Sequence, residues 1–266
     1  MASGSHAVYE FDSAIVREPG RSVVNGLCAN EDQAPPSYDG VRREHRAYVS
    51  ALRDAGVNVM ELPPLEVYPD SVFVEDPALV FQDAAILLCP GAESRRGEVE
   101  EIRSSLESNF SRVVSLSREG FADGGDVLFM PTQVMIGLSD RTSDQGAEAL
   151  SDLLVDLGMR PRIVETPPGV LHFKTDCALL DDRTVLATER LADAGFFHGC
   201  TVIVVPAGEE AAANALRVND VVFLGDRFPK TAARLTASGY RVVALPTTEI
   251  GKVDAGLSCM SLRWHT

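Results

Sequence analysis

The chain has 266 residues, 45% of them hydrophobic, with 39 acidic and 24 basic side chains and a net charge of −15. That apolar content fills a sizeable core, whereas the acidic surplus argues against nucleic acid or an anionic membrane as partner and favours a small cationic one. Five widely spaced cysteines with no Cys-x-x-Cys among them give no basis for a disulfide framework or a structural zinc site.

No basic-then-apolar leader and no bilayer-length apolar run is present, so the expectation is a reduced, cytoplasmic protein. One domain is expected over 1–266, with residues 1–10 as a disordered start.

In chain order, Val41, His45, Tyr48, Val49, Leu52 and Ala55 share one face of a helix over 41–55. Gly56 ends it in the left-handed conformation that glycine adopts at low cost, and a strand over 57–62 follows. The order helix, break, strand returns four times: 95–110 then 112–116, 143–157 then 160–164, 189–194 then 201–205, and 230–238 then 240–245. Gly158, Gly195 and Gly239 end the last three helices.

Between these units lie hairpins, each two β-rich runs around a short polar break. They pair 80–81 with 85–88, 127–130 with 134–137, 178–180 with 184–187, and 216–219 with 221–224. An open doubly wound sheet also alternates strands and helices. Close hairpins argue against it, because parallel neighbours need long crossovers. The reading is α/β, five ββαβ units around an axis, with the loops facing that axis gathering distant residues into one pocket.

Familiar motifs are missing. Lys174-Thr175 has no glycine before the lysine, so it is not a phosphate loop, and neither a Gly-x-Gly-x-x-Gly nor a Gly-x-Ser-x-Gly occurs. Asp70, Asp76, Asp123 and Asp126 are acids that cap turns or pair with arginine more readily than they bind a metal. The chemistry-bearing residues are Cys259 near the end of the chain, His172 after an apolar run, Asp123-Gly124-Gly125-Asp126, and the acids of 70–76. One thiol, one imidazole and several carboxylates suffice to attack an electrophilic carbon.

Taken together, these residues and the fivefold repeat resemble dimethylarginine dimethylaminohydrolase, a guanidino-modifying family of the pentein superfamily. The resemblance runs from Arg21-Ser22-Val23-Val24-Asn25-Gly26-Leu27 to Ser258-Cys259-Met260-Ser261-Leu262-Arg263. Pro69-Asp70-Ser71-Val72-Phe73-Val74-Glu75-Asp76, Pro90-Gly91-Ala92-Glu93-Ser94-Arg95-Arg96-Gly97-Glu98, Arg141-Thr142 and Leu171-His172-Phe173-Lys174 complete it.

The resemblance implies a five-bladed α/β propeller. It implies hydrolysis of methylated arginines to citrulline and a methylamine, with Cys259 as nucleophile, His172 as acid/base and Asp123 as its acidic partner. It places Asp76 on the guanidinium. Asp70 and Arg95 fall near the amino-acid end, and Arg141 on the substrate carboxylate. Leu27, Phe73, Glu75, Asp254 and Ser258 are implied as further substrate contacts. No cofactor and no metal are implied, and the expected partner is a small cationic amino acid; a homodimer stays open.

Phe173, Ser143 and Cys89 depart from the family pattern of Leu, Asn and Arg. A deiminase acting on free arginine and a non-catalytic binding protein on the same scaffold remain alternatives.

Overall fold

The computed structural model describes residues 6–28, 33–117 and 119–266. Among them are five three-stranded sheets. The four later sheets are built identically, an antiparallel hairpin followed by a helix that returns the chain parallel to the second strand.

The strands of the second sheet are β3 (Ala78–Val80), β4 (Ala84–Leu87) and β5 (Arg112–Ser115), with helix α2 (Glu98–Asn109) before β5. Next come β6 (Val127–Met130), β7 (Gln133–Leu138), α3 (Asp144–Asp156) and β8 (Pro161–Glu165). The fourth sheet holds β9 (Cys177–Asp181), β10 (Thr184–Ala187) and β11 (Thr201–Val204), with α4 (Glu189–Asp193). The fifth holds β12 (Leu216–Val218), β13 (Val221–Gly225) and β14 (Arg241–Leu245), with α5 (Pro229–Ala237).

The first sheet is assembled from both ends of the chain. β1 (Ser13–Arg17) runs parallel to β2 (Asn58–Leu62) across α1 (Tyr38–Asp54), and its antiparallel partner is β15 (Leu262–Trp264). The sequence reading found no hairpin for this unit because the two strands of that hairpin lie at opposite ends of the chain. Their pairing completes the first blade and joins the two ends of the chain.

Side-chain alternation explains how the blades pack. On β4, Ala85 and Leu87 face one core cluster and Ile86 faces the next. On β7, Val134 and Ile136 face one cluster and Met135 another. On β13, Val222 and Leu224 join a cluster with blade four, while Val221 and Phe223 join one with α1 and β1. Each of the five clusters therefore fills the space between two neighbouring blades. Middle strands buried on both faces read as continuous apolar runs, which is how they look in the sequence.

Gly56, Gly158, Gly195 and Gly239 all take positive φ after their helices, as the helix stops require. Two expectations change. The helix expected over 95–110 breaks into a 3-10 turn, Glu93–Arg95, and then α2, which lets Arg95 point inward instead of lying on an exposed helix face. The disordered start expected over 1–10 does not hold for 6–10: Val8 and Tyr9 pack on the blade three–four core, and the Asn219 N–H donates to the Tyr9 carbonyl at 2.9 Å. Residues 1–5 lie outside the described residues.

Candidate active site

One station recurs in every blade, the loop just before the hairpin's entering strand. Asp76 precedes β3, Asp123 precedes β6, His172 precedes β9, Asn214 precedes β12 and Cys259 precedes β15. These loops are stitched to one another. The Glu75 N–H donates to the Cys259 carbonyl at 3.2 Å, and Gly124 N–H to the Asp76 carbonyl at 3.2 Å. Phe173 N–H donates to Asp126 at 2.8 Å, and Ser258 N–H to Asn214 Oδ1 at 3.1 Å. Short 3-10 turns at Gly124–Asp126, Phe173–Thr175 and Ser258–Met260 deliver the side chains inward.

The two glycines after Asp123 are required by space. A Cβ on Gly124 would lie 2.0 Å from the Glu75 carbonyl oxygen, and one on Gly125 would lie 2.8 Å from His172 Cγ and 2.9 Å from Asp76 Oδ1. The Gly125 N–H donates to Asp76 Oδ1 at 3.1 Å.

His172 Nε2–H donates to Asp123 Oδ2 at 2.9 Å, and Asp76 Oδ1 lies 3.9 Å from the same nitrogen. Asp123 is fully buried; its other oxygen accepts the Gly91 N–H at 2.8 Å. Burial pulls the imidazole pKa down, but the charges of Asp76, Asp126 and Asp123 and the bond to Asp123 outweigh it and lift His172 to about 9. The ring is therefore an imidazolium at neutral pH. Burial, helped by the negative charges of Glu75 and Asp76, pushes the Cys259 thiol up to about 11, so it rests protonated.

A pocket of about 150 Å³ opens over these groups. Leu27, Asp70, Phe73, Asp76, Arg95, Arg141, His172, Asp254 and Cys259, all anticipated from the sequence, line it. Asp123 stands behind His172. Two anticipated contacts do not reach the pocket. Glu75, in the turn before β3, points away from Asp76 and pairs with Lys174 at 2.7 Å and Arg263 at 3.2 Å beside a separate cavity. Ser258 sits behind the thiol, its Oγ 3.9 Å from Cys259 Sγ.

Arg95 lines the pocket while bonded to several protein groups. Its Nε and Nη2 fork onto Glu98 at 3.0 and 2.8 Å, Nη1 donates to Asp76, and Nη2 also donates to the Phe73 carbonyl at 2.8 Å. Most of its donors are thus engaged with the protein. Burial raises the Asp76 pKa, yet the Arg95 charge overrides it and holds Asp76 below the usual carboxylate range. The Arg141 guanidinium, by contrast, makes no hydrogen bond to the protein among the described residues.

Burial raises the pKa of Asp70 against the pull of Arg95 and of the Leu27 N–H, which donates to it at 2.9 Å. Asp254 has φ of 52°, a left-handed conformation that Asp tolerates. Its loop is held from below by Glu44, which accepts the N–H groups of Glu249 and Ile250 at 2.8 and 2.9 Å.

Asp76, Asp123 and His172 offer ligand atoms within 4.8 Å of one another. All four carboxylate oxygens of this trio already accept a hydrogen bond, and the Arg95 cation touches one of them. That wiring suits an organic cation better than a metal ion.

Sequence reasoning missed Val253 and Leu171 on the pocket wall, buried Glu98, and Asn214 beside the thiol. Asn214 did carry a signal, since it holds in the fifth unit the place that Asp76, Asp123 and His172 hold in theirs. The departures at Phe173, Ser143 and Cys89 all lie off the pocket: Phe173 is core, Ser143 caps α3, and Cys89 bridges to Ala122.

A five-bladed α/β propeller whose thiol and imidazole both open onto one axial pocket is a pentein, the class that acts on guanidino groups. The family model described as N,N dimethylarginine dimethylhydrolase, eukaryotic, matches residues 31–164. The N(G),N(G)-dimethylarginine dimethylaminohydrolase of Pseudomonas aeruginosa is 37% identical, aligned over 96% of this chain and all of its own. That of Streptomyces coelicolor is 31% identical over 94% of this chain and 96% of its own. The solved Pseudomonas aeruginosa enzyme, a cysteine-to-serine variant complexed with citrulline, superposes with a TM-score of 0.92 at 36% identity, covering 96% of this chain and all of that one. The chain belongs to the dimethylarginine dimethylaminohydrolase family. The N-terminal domain of ArgZ, an arginine dihydrolase from cyanobacteria, shares the fold, with a TM-score of 0.84 at 18% identity, over 94% of this chain and 96% of that one.

Proposed function

We propose that the protein hydrolyses Nω-methylated arginines to citrulline and a methylamine through a covalent cysteine intermediate. One observation carries this reading: the Cys259 thiol, the His172 imidazole backed by buried Asp123, and Asp76 held by Arg95 meet in one pocket.

A guanidinium is a poor electrophile because resonance spreads its charge. Asp76 holds it in place by charge-assisted hydrogen bonds. The bound cation also offsets the carboxylates that disfavour the thiolate, so substrate binding promotes release of the Cys259 proton to solvent while His172 stays protonated. Sulfur attacks the guanidinium carbon and forms a tetrahedral adduct. His172 gives its proton to the methylated nitrogen, the C–N bond breaks, and an S-alkylthiouronium remains. Neutral His172 then takes a proton from water, the hydroxide adds to the same carbon, and the C–S bond breaks to release citrulline.

Arg141, whose guanidinium is uncommitted, binds the substrate carboxylate as a planar fork. Arg95 acts through Asp76, which it orients. Asp70, Leu27, Phe73 and Asp254 complete the walls.

The test is a panel of asymmetric dimethylarginine, monomethylarginine and arginine with citrulline measured, run on wild type and Cys259→Ser. Methylated substrates turn over in wild type, and the variant binds them without product. Turnover of arginine alone would replace this reading with a deiminase. Binding without turnover in wild type would replace it with a binding protein.

A further inference from the structure

Asn214 follows the 3-10 turn Glu210–Ala213 and is 8% exposed. Its amide is oriented by its neighbours. The Ser258 N–H can only donate, so the atom facing it at 3.1 Å is Oδ1, and the Nδ2 donor is left facing Cys259 Sγ at 3.9 Å. Gly256 packs directly against this amide; a Cβ there would lie 2.3 Å from Asn214 Cγ.

The chemistry of the pocket makes a neutral donor valuable at this point. The sulfur must become anionic twice, when it attacks and when it leaves. The carboxylates Glu75 and Asp76 oppose that charge. A lysine or arginine beside the sulfur would favour the thiolate, yet it would repel a guanidinium substrate. An amide N–H favours the anion and leaves the substrate's charge alone.

We propose that Asn214 is a positioning residue for the nucleophile: Oδ1 locks the Ser258–Cys259 turn, and Nδ2–H donates to the Cys259 sulfur as it becomes anionic. This rests on the reading of Cys259 as the nucleophile. The donor matters only once the thiolate forms, so its loss reduces kcat and leaves substrate binding nearly intact.

The experiment uses Asn214→Ala and Asn214→Ser. Alanine removes both hydrogen bonds; serine keeps an acceptor near Ser258 but is too short to reach the sulfur. Three quantities are measured: kcat and KM on dimethylarginine, the pH midpoint of iodoacetamide alkylation of Cys259 located by peptide mass spectrometry, and citrulline affinity as a check on the folded pocket. Both variants lose about tenfold or more in kcat, the scale of one hydrogen bond to a charged group, with KM within about threefold. Both also move the alkylation midpoint upward.

Gly256→Ala, which displaces the amide without altering it, reproduces the shift and serves if the Asn214 variants do not fold. An unmoved midpoint in variants that bind citrulline normally would overturn the proposal, as would a loss carried wholly by KM. The parent reading fails separately, if wild type with Cys259 fully alkylated still turns over.

Discussion

Replacing Asp123 with asparagine changes one charge and almost no volume, so it isolates what the carboxylate does for His172. The asparagine Oδ1 still accepts the Gly91 N–H that now bonds Asp123 at 2.8 Å. Its amide nitrogen then faces His172 Nε2, where the carboxylate oxygen stands at 2.9 Å. An amide donor in that position favours the neutral ring with an unprotonated Nε2, the reverse of the imidazolium that the leaving amine requires.

His172 sits at about 9 against an ordinary 6.5, a net preference for the charged ring on the order of 3 kcal/mol. Asp123 supplies a hydrogen bond and a charge toward it, and losing one close opposite charge lowers a pKa by about 1–3 units. Asp123→Asn is therefore expected to bring His172 down toward 7 and to reduce kcat on the order of a hundredfold or more, the worth of a positioned acid. Asp123→Glu keeps the charge and should retain more activity than Asp123→Asn.

The assay pairs citrulline formation across pH with an NMR titration of the His172 ring. A variant whose kcat stays within about threefold of wild type, or whose ring titrates unchanged, would refute the pairing as the source of the acid.

Gly125→Ala places a methyl group 2.8 Å from His172 Cγ; it should cost about 1–3 kcal/mol of stability by crowding, with kcat falling more than KM rises in steady-state assays. Arg141→Lys keeps the charge but loses the fork, so KM for dimethylarginine should rise about tenfold or more, while a simple alkylguanidine without a carboxylate is processed equally poorly by variant and wild type; equal losses on both substrates would instead mean a structural role. Because folding raises the His172 pKa from 6.5 to about 9, its contribution to stability is complete below 6.5 and disappears as pH rises through 9. Urea midpoints should fall over that window, and the fall should be smaller in Asp123→Asn.

Local pattern alone determined much of this protein. The helix stops at Gly56, Gly158, Gly195 and Gly239 are visible in sequence because left-handed backbone selects glycine. Four hairpins are visible because polar breaks separate their apolar strands, and repetition of the unit implied closure around an axis. Most of the pocket was anticipated through the resemblance to the dimethylarginine dimethylaminohydrolase family; of those residues Asp76, Asp123, His172 and Cys259 sit at corresponding places in successive units.

Tertiary structure decided the rest. Only the folded chain brings β15 beside β1, because no local signal links strands at opposite ends of a sequence. Only it separates Glu75 from Asp76, since the turn before β3 aims Asp76 into the pocket and Glu75 at Lys174. The 3-10 turn before α2 buries Arg95 where it pairs with Asp76 and Glu98. Asn214 gained meaning last, because an asparagine is an ordinary loop residue until a neighbouring blade sets a sulfur against its amide.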